Sequence, residues 1–141
     1  MNEDRMKERS FIDTNILIYT DDADYPEKQQ KAIKLIESGW HNGNAVLSTQ
    51  VLQEYFSAST RKLKIPAEKV QRKIELLSHL KIASIEHQDI IRAIEIHRLH
   101  SFSFWDALIV RMAQKTACAI LYSEDMQDGR KIGDVRIVNP F

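Results

Sequence analysis

The chain has a single cysteine, Cys118, which excludes an internal disulfide framework and any zinc site built from several thiolates. It stands in an apolar stretch and reads as a small buried side chain. Three prolines and four glycines in 141 residues are too few for a disordered or linker-rich chain. No apolar run approaches the roughly eighteen residues a membrane-spanning helix needs. The 20 basic and 20 acidic residues cancel, so any binding of nucleic acid must come from local basic patches. The first nine residues, Met1 to Arg9, are mostly charged and lack the apolar centre of a secretion signal, so a cytoplasmic protein is expected.

What remains is a chain with 43% hydrophobic residues, no repeat and no break in composition, which predicts one domain with a real core. We place it over residues 10–141, after a charged tail over residues 1–9 in which Met6 would be a more typical start. Apolar runs at 10–13, 45–48, 82–85, 119–122 and 135–138 read as five short strands. Helices are expected between them. The first begins near Pro26 and stops at Gly39. The next is capped by Ser48 or Thr49 and runs to about Leu63. Others start at Pro66, near Gln88, and at Ser103. This alternation predicts an α/β domain of three α/β/α layers, with a mostly parallel five-stranded sheet covered on both faces.

Such sheets bind ligands beyond the carboxyl ends of their strands, near a topological switch point. Four acids fall at that edge. Asp13 ends the first strand, and Asp125 lies just past the fourth. Glu54 is in the early turns of the helix leaving the second strand. Asp106 is at the start of a helix that runs back into the fourth strand. Each also has a plainer explanation. Asp13-Thr14-Asn15 suits an Asx turn, and Ser103 with Asp106 matches a capping box. Glu54 falls well away from the stripe formed by Val51, Leu52, Tyr55, Phe56 and Ser59, as a solvated residue would. Asp125 shares its loop with Glu124 and Asp128, beside the turn signal Asp128-Gly129. Yet Asp13 lies between Phe11-Ile12 and Ile16-Leu17-Ile18, and the helix carrying Asp106 is apolar around nearly its whole circumference. Both carboxylates are therefore expected inside the protein, where an unpaired charge is costly. Oxygen ligands without cysteine suit magnesium or manganese better than zinc.

These residues carry a resemblance. Phe-Ile-Asp13-Thr14-Asn15-Ile-Leu, Leu-Ser-Thr-Gln-Val-Leu-Gln-Glu54-Tyr, Ser-Phe-Trp-Asp106-Ala-Leu-Ile and Leu-Tyr-Ser123-Glu-Asp125-Met occur in an order and spacing that resemble the PIN-domain ribonucleases. The likeness is closest to VapC-like toxins of toxin–antitoxin pairs and covers the chain from Ser10 onward. It implies a metal-dependent endoribonuclease, with Asp13, Glu54, Asp106 and Asp125 as the acidic set. Asp13, Asp106 and Asp125 would hold Mg²⁺ or Mn²⁺. Thr14, Asn15 and Ser123 match polar positions that orient carboxylates or metal-bound water. Asp128 competes with Asp125 for the fourth place. The resemblance also implies RNA as substrate, products with 5′-phosphate and 3′-hydroxyl ends, a homodimer, and an antitoxin protein laid into the groove. A PIN-like RNA-binding protein without turnover, or an RNA-maturation nuclease outside a toxin system, are the rival readings. Among the basic residues, Arg61, Lys62, Lys64, Arg130 and Lys131 are candidates for holding RNA. Tyr19, Trp40 and Trp105 are candidates for stacking on bases, with Trp105 more often a core residue in such a helix.

Overall fold

The computed structural model describes residues 8–141. The proposed start at Met6 lies outside them. The chain order is β1 (Ser10–Ile12), α1 (Thr14–Tyr19), α2 (Pro26–Asn42), β2 (Ala45–Ser48), α3 (Thr49–Arg61), α4 (Ala67–Leu77) and β3 (Lys81–Ala83). It continues with α5 (His87–His100), α6 (Phe104–Lys115), β4 (Ile120–Tyr122), β5 (Lys131–Ile132) and β6 (Val135–Val138). The sheet order is β3-β2-β1-β4-β6-β5, parallel except where β5 meets β6. Chain order therefore reverses beside β1: the chain first builds outward through β2 and β3, then crosses to β4 on the other side.

The sheet has six strands among the described residues, not five. The extra strand, β5, is two residues long and antiparallel. It is too short to show a period of its own, and Gly133 at φ 59° turns it back onto β6. The first strand also ends earlier than its apolar run suggests. Asp13, still extended, is the N-cap of α1, a helix that the sequence does not separate from the strand. Six residues are too few to reveal helical periodicity, and Ile16 and Leu17 are apolar enough to pass for more strand.

Helix α2 runs on through Gly39 to Asn42, and Gly43, at φ 67°, is the left-handed residue that ends it. Gly39 has a different task. A Cβ built there would lie 2.4 Å from the Cβ of Ala45, so the missing side chain is what lets α2 lie against β2. Alanine has the higher helix propensity, by about 1 kcal/mol, but the collision outweighs it. Gly39→Ala is expected to lower stability by about 1–3 kcal/mol in urea titrations with an unchanged slope. A variant at least as stable as the parent would show that the two elements part without cost.

The core runs along both faces of the sheet, with Phe11, Leu47, Leu121 and Ile137 fully buried on its central strands. Helix α6 closes one face through Ala107, Leu108, Ile109, Val110, Met112 and Ala113, all buried. Its first turn departs from this: Phe104 and Asp106 are half-buried, and Trp105 is 61% exposed, not a core residue. Helices α5 and α6 are joined through Asp89, which is fully buried. Its carboxylate accepts from the backbone N–H of Glu86, from Arg111 at 3.0 Å and from Lys115 at 2.7 Å. No helix among the described residues is long and apolar enough to cross a membrane.

Candidate active site

The rim begins with Asp13, at the carboxyl end of β1 beside the point where chain order reverses. Its backbone N–H donates to Tyr122 O at 3.0 Å, which fastens it to the end of β4. One carboxylate oxygen caps α1 by accepting from Thr14 N at 2.7 Å. The other accepts from the Ser123 hydroxyl at 2.8 Å. Ser123 is fully buried just past β4, so its hydrogen bond spans the reversal point.

Asp13 is only 6% exposed. Burial raises its pKa from the ordinary 3.8 to about 7, against the two hydrogen bonds that favour the charged form. The carboxylates of Asp106 and Glu54 push it the same way. Burial also raises the pKa of Asp106, assisted by the charges of Asp125 and Glu54. Asp13 thus feels the charges of Asp106 and Glu54, and Asp106 those of Asp125 and Glu54, although the four acids come from separate parts of the chain.

Each of three acids is held by a neighbouring polar side chain. Ser123 holds Asp13. The Thr14 hydroxyl donates to Glu54 Oε1 at 2.6 Å. The Asn15 amide donates to Asp125 Oδ2 at 2.8 Å. Ser103 instead caps the helix behind Asp106, accepting from its backbone N–H at 3.1 Å. Asp128 is engaged elsewhere, where it accepts from Asn139 N at 2.8 Å.

Glu54 lies on the site side of α3, contrary to its expected solvent position. The apolar stripe had been drawn to include Phe56, but Phe56 is 40% exposed. The residue buried in its stead is Gln50, one turn before Glu54 and only 4% exposed. Gln50 Nε2 donates to Glu54 Oε2 at 3.1 Å and to Trp105 O at 3.2 Å, so it ties α3 to the first turn of α6. Sequence reasoning missed Gln50. Its one signal is polarity directly before Val51, on a face that a purely structural helix would leave apolar.

None of the four rim carboxylates has a lysine or arginine ion-pair partner among the described residues. Asp89, Asp21 and Glu124, all outside this set, do have one. Two buried side-chain oxygens beside the rim, Asn15 Oδ1 and Gln50 Oε1, lack any hydrogen-bond partner. This is an all-oxygen donor set short of positive charge, as a hard divalent cation requires. Among the described residues, no three carboxylate, imidazole or thiol side chains close on a single point that would hold an ion unaided. The arrangement therefore fits an ion that touches one or two carboxylates and keeps water in its other positions, as magnesium does. It does not fit a closed calcium- or zinc-type cage.

The cleft over this rim has a volume of about 460 Å³. Thr14, Asn15, Glu54 and Asp125 line it, with Tyr19 and Tyr25 on one wall and Lys62 on another. Glu124 lines it too, but is already engaged. Burial raises its pKa, yet Lys28 and the Tyr19 hydroxyl outweigh that effect, and the net shift is downward.

A fold of this topology with an acidic rim at its reversal point defines a class, and the sequence agrees with it. The family model described as PIN domain matches residues 10–130, and the chain belongs to the PIN domain family. No curated protein sequence matches it significantly. Its structure is similar to that of the sarcin–ricin-loop-cleaving toxin VapC20 of Mycobacterium tuberculosis: TM-score 0.66, 20% identity, covering 82% of this chain and 89% of that one. It is also similar to a toxin–antitoxin complex from Klebsiella pneumoniae: TM-score 0.66, 24% identity, 94% and 98% covered. DNA-bound VapBC of Salmonella typhimurium gives a TM-score of 0.67 at 17% identity, with 95% and 99% covered. At these identities the likeness is one of fold.

Proposed function

We propose that this protein is a divalent-metal-dependent endoribonuclease and the toxin of a toxin–antitoxin pair. The observation that carries the reading is the rim itself: four electrostatically coupled carboxylates, three of them gripped by their own hydrogen-bond donors, with no cationic partner among the described residues. Membership of the PIN domain family supports it, as does the fold shared with VapC toxins.

Of Asp13, Asp106 and Asp125, one or two would touch a Mg²⁺ or Mn²⁺ ion directly and the remainder would reach it through its water. A bound ion of this kind supplies Lewis acidity to water and to phosphoryl oxygens. Ser123 and Thr14 N fix both oxygens of Asp13, so this carboxylate presents one orientation to the cleft. Glu54, held by Thr14 and Gln50, stands as the proton acceptor for an attacking water. Asn15 restrains Asp125, which comes from a loop and would otherwise sample many positions. An antitoxin partner is supported by the likeness to toxin–antitoxin complexes; the RNA substrate and a homodimeric assembly belong to the same reading.

The test uses the purified full-length chain with single-stranded and structured RNAs, in manganese, magnesium or EDTA. Cleavage is expected only with metal, leaving 5′-phosphate ends. An independent readout is thermal unfolding. Metal at a hundred times its Kd stabilises by about 2.7 kcal/mol, or about 8 °C in Tm for a chain of this size. The absence of both cleavage and a metal-dependent rise in Tm would sink the proposal.

A further inference from the structure

We infer that the corner between α3 and α4 is the path by which a single-stranded RNA backbone leaves the acidic cleft, held by Lys62, Lys69 and Arg72. The inference rests on the nuclease reading above and adds to it where the substrate strand lies.

A phosphodiester entering the cleft meets Glu54, Glu124 and Asp125, so catalysis needs cations close by that carry no other duty. Lys28 is not free, because its ammonium is paired with Glu124 at 2.5 Å. Lys62 lines the cleft and makes no ion pair among the described residues. It follows Glu54 and Ala58 at four-residue steps, and all three line the same wall. Eight residues of helix place Lys62 about 12 Å along the axis from Glu54, beyond the rim and not within it.

A second groove lies across the turn after α1. It has a volume of about 530 Å³ and is lined by Asp21, Tyr55, Lys69, Arg72 and Lys73, among others. Asp21 faces this groove and Asp22 faces the acidic cleft, so the turn after α1 forms the partition between them. Lys73 is committed to Asp21 at 3.0 Å. Lys69 and Arg72 are exposed, three residues apart on one face of α4, and unpaired among the described residues. The other basic candidates fall away. Arg130 donates to His100 O and lies over the Phe102 ring. Lys131 belongs to the edge strand β5, and Arg61 and Lys64 line neither cleft.

The experiment measures fluorescence anisotropy of a labelled, unstructured RNA of about 20 nucleotides in calcium buffer, across about 50–200 mM KCl. It compares the full-length parent with Lys62→Gln, Lys69→Gln/Arg72→Gln, the triple variant, Lys62→Arg, and Arg61→Gln as control. Each lost contact to a single strand is expected to reduce the slope of log K on log salt by about 0.7, which weakens binding about fivefold near 0.1 M salt. Lys62→Arg and Arg61→Gln are expected to match the parent, and kcat at saturating RNA to stay unchanged while KM rises. A triple variant with the parent's affinity and slope overturns the path while leaving the nuclease reading intact. A parent that neither binds nor cleaves RNA overturns both. Variants that keep RNA but lose an acidic protein segment show the corner to be a protein-docking surface, which also overturns it.

Discussion

Asp13→Asn is expected to abolish RNA cleavage, by on the order of 10³-fold or more in kcat/KM, and at the same time to make the metal-free protein more stable at pH 8. On the proposed reading, the first effect follows from removing a charge that would help to hold an ion worth several kcal/mol to the transition state. The second follows from linkage. The folded-state pKa of Asp13 is raised from 3.8 to about 7, so the native state binds more protons than the unfolded state between these values. Its unfavourable contribution is absent below about pH 4, grows as pH rises, and is complete above about pH 7. Asparagine keeps the shape without the charge, and the gain at pH 8 is expected to be on the order of 3 kcal/mol, fading to nothing near pH 4. Magnesium should erase most of the difference by stabilising the parent alone. Urea titrations at both pH values, with and without magnesium, check all of this. A variant that is less stable than the parent at pH 8 would mean that the carboxylate is compensated by something other than a metal.

Asp89→Ala is expected to do the reverse, costing about 3 kcal/mol at neutral pH. Asp89 is as buried as Asp13, but its surroundings differ. Burial pushes its pKa up, while Lys115, the Glu86 backbone N–H and Arg111 together push it further down, so the net shift is downward. Its contribution to stability is therefore present above about pH 4 and is lost as pH falls through the lowered folded-state pKa. The alanine leaves Arg111 and Lys115 without their shared anion and frees an N–H at the start of α5. Both cations keep some access to water, with side-chain exposures of 22% and 29%, which holds the cost below that of a sealed pair. Asp89→Asn should lie between. The measurement is the pH profile of unfolding free energy: the deficit of Asp89→Ala should shrink in acid, whereas the advantage of Asp13→Asn shrinks there too but from the opposite sign. A deficit that is flat with pH would assign the loss to packing.

The two aspartates also show what could be read from sequence. Both stand among apolar neighbours, and sequence reasoning singled out Asp13 because it ends a strand at the ligand-binding edge. It passed over Asp89, whose partners Arg111 and Lys115 come from the next helix and cannot be recognised without tertiary structure. The alternation of strands and helices was legible, and with it the placing of the acids on one rim, since parallel topology alone requires that. The helical phase of Glu54 is misleading because α3 buries Gln50 and exposes Phe56. Trp105 departs from its expected core position because the burial of most of α6 does not extend to its first turn. Gly39 was taken as a stop because a glycine that ends a helix and one that admits a neighbouring strand look alike until the strand is in place.

The hydrogen bond from Ser123 to Asp13 joins residues 110 positions apart. The central strand β1 thus emerges well before the strand that completes its surroundings and the loop bearing Asp125. Contacts of such long range form late and cannot be replaced by local structure. A nascent chain still short of β4 has Asp13 without its serine and the rim without Asp125. Premature termination or C-terminal trimming therefore yields an inert product, not a partly active one. On the nuclease reading, catalytic competence arrives only once the chain has been made past Asp125.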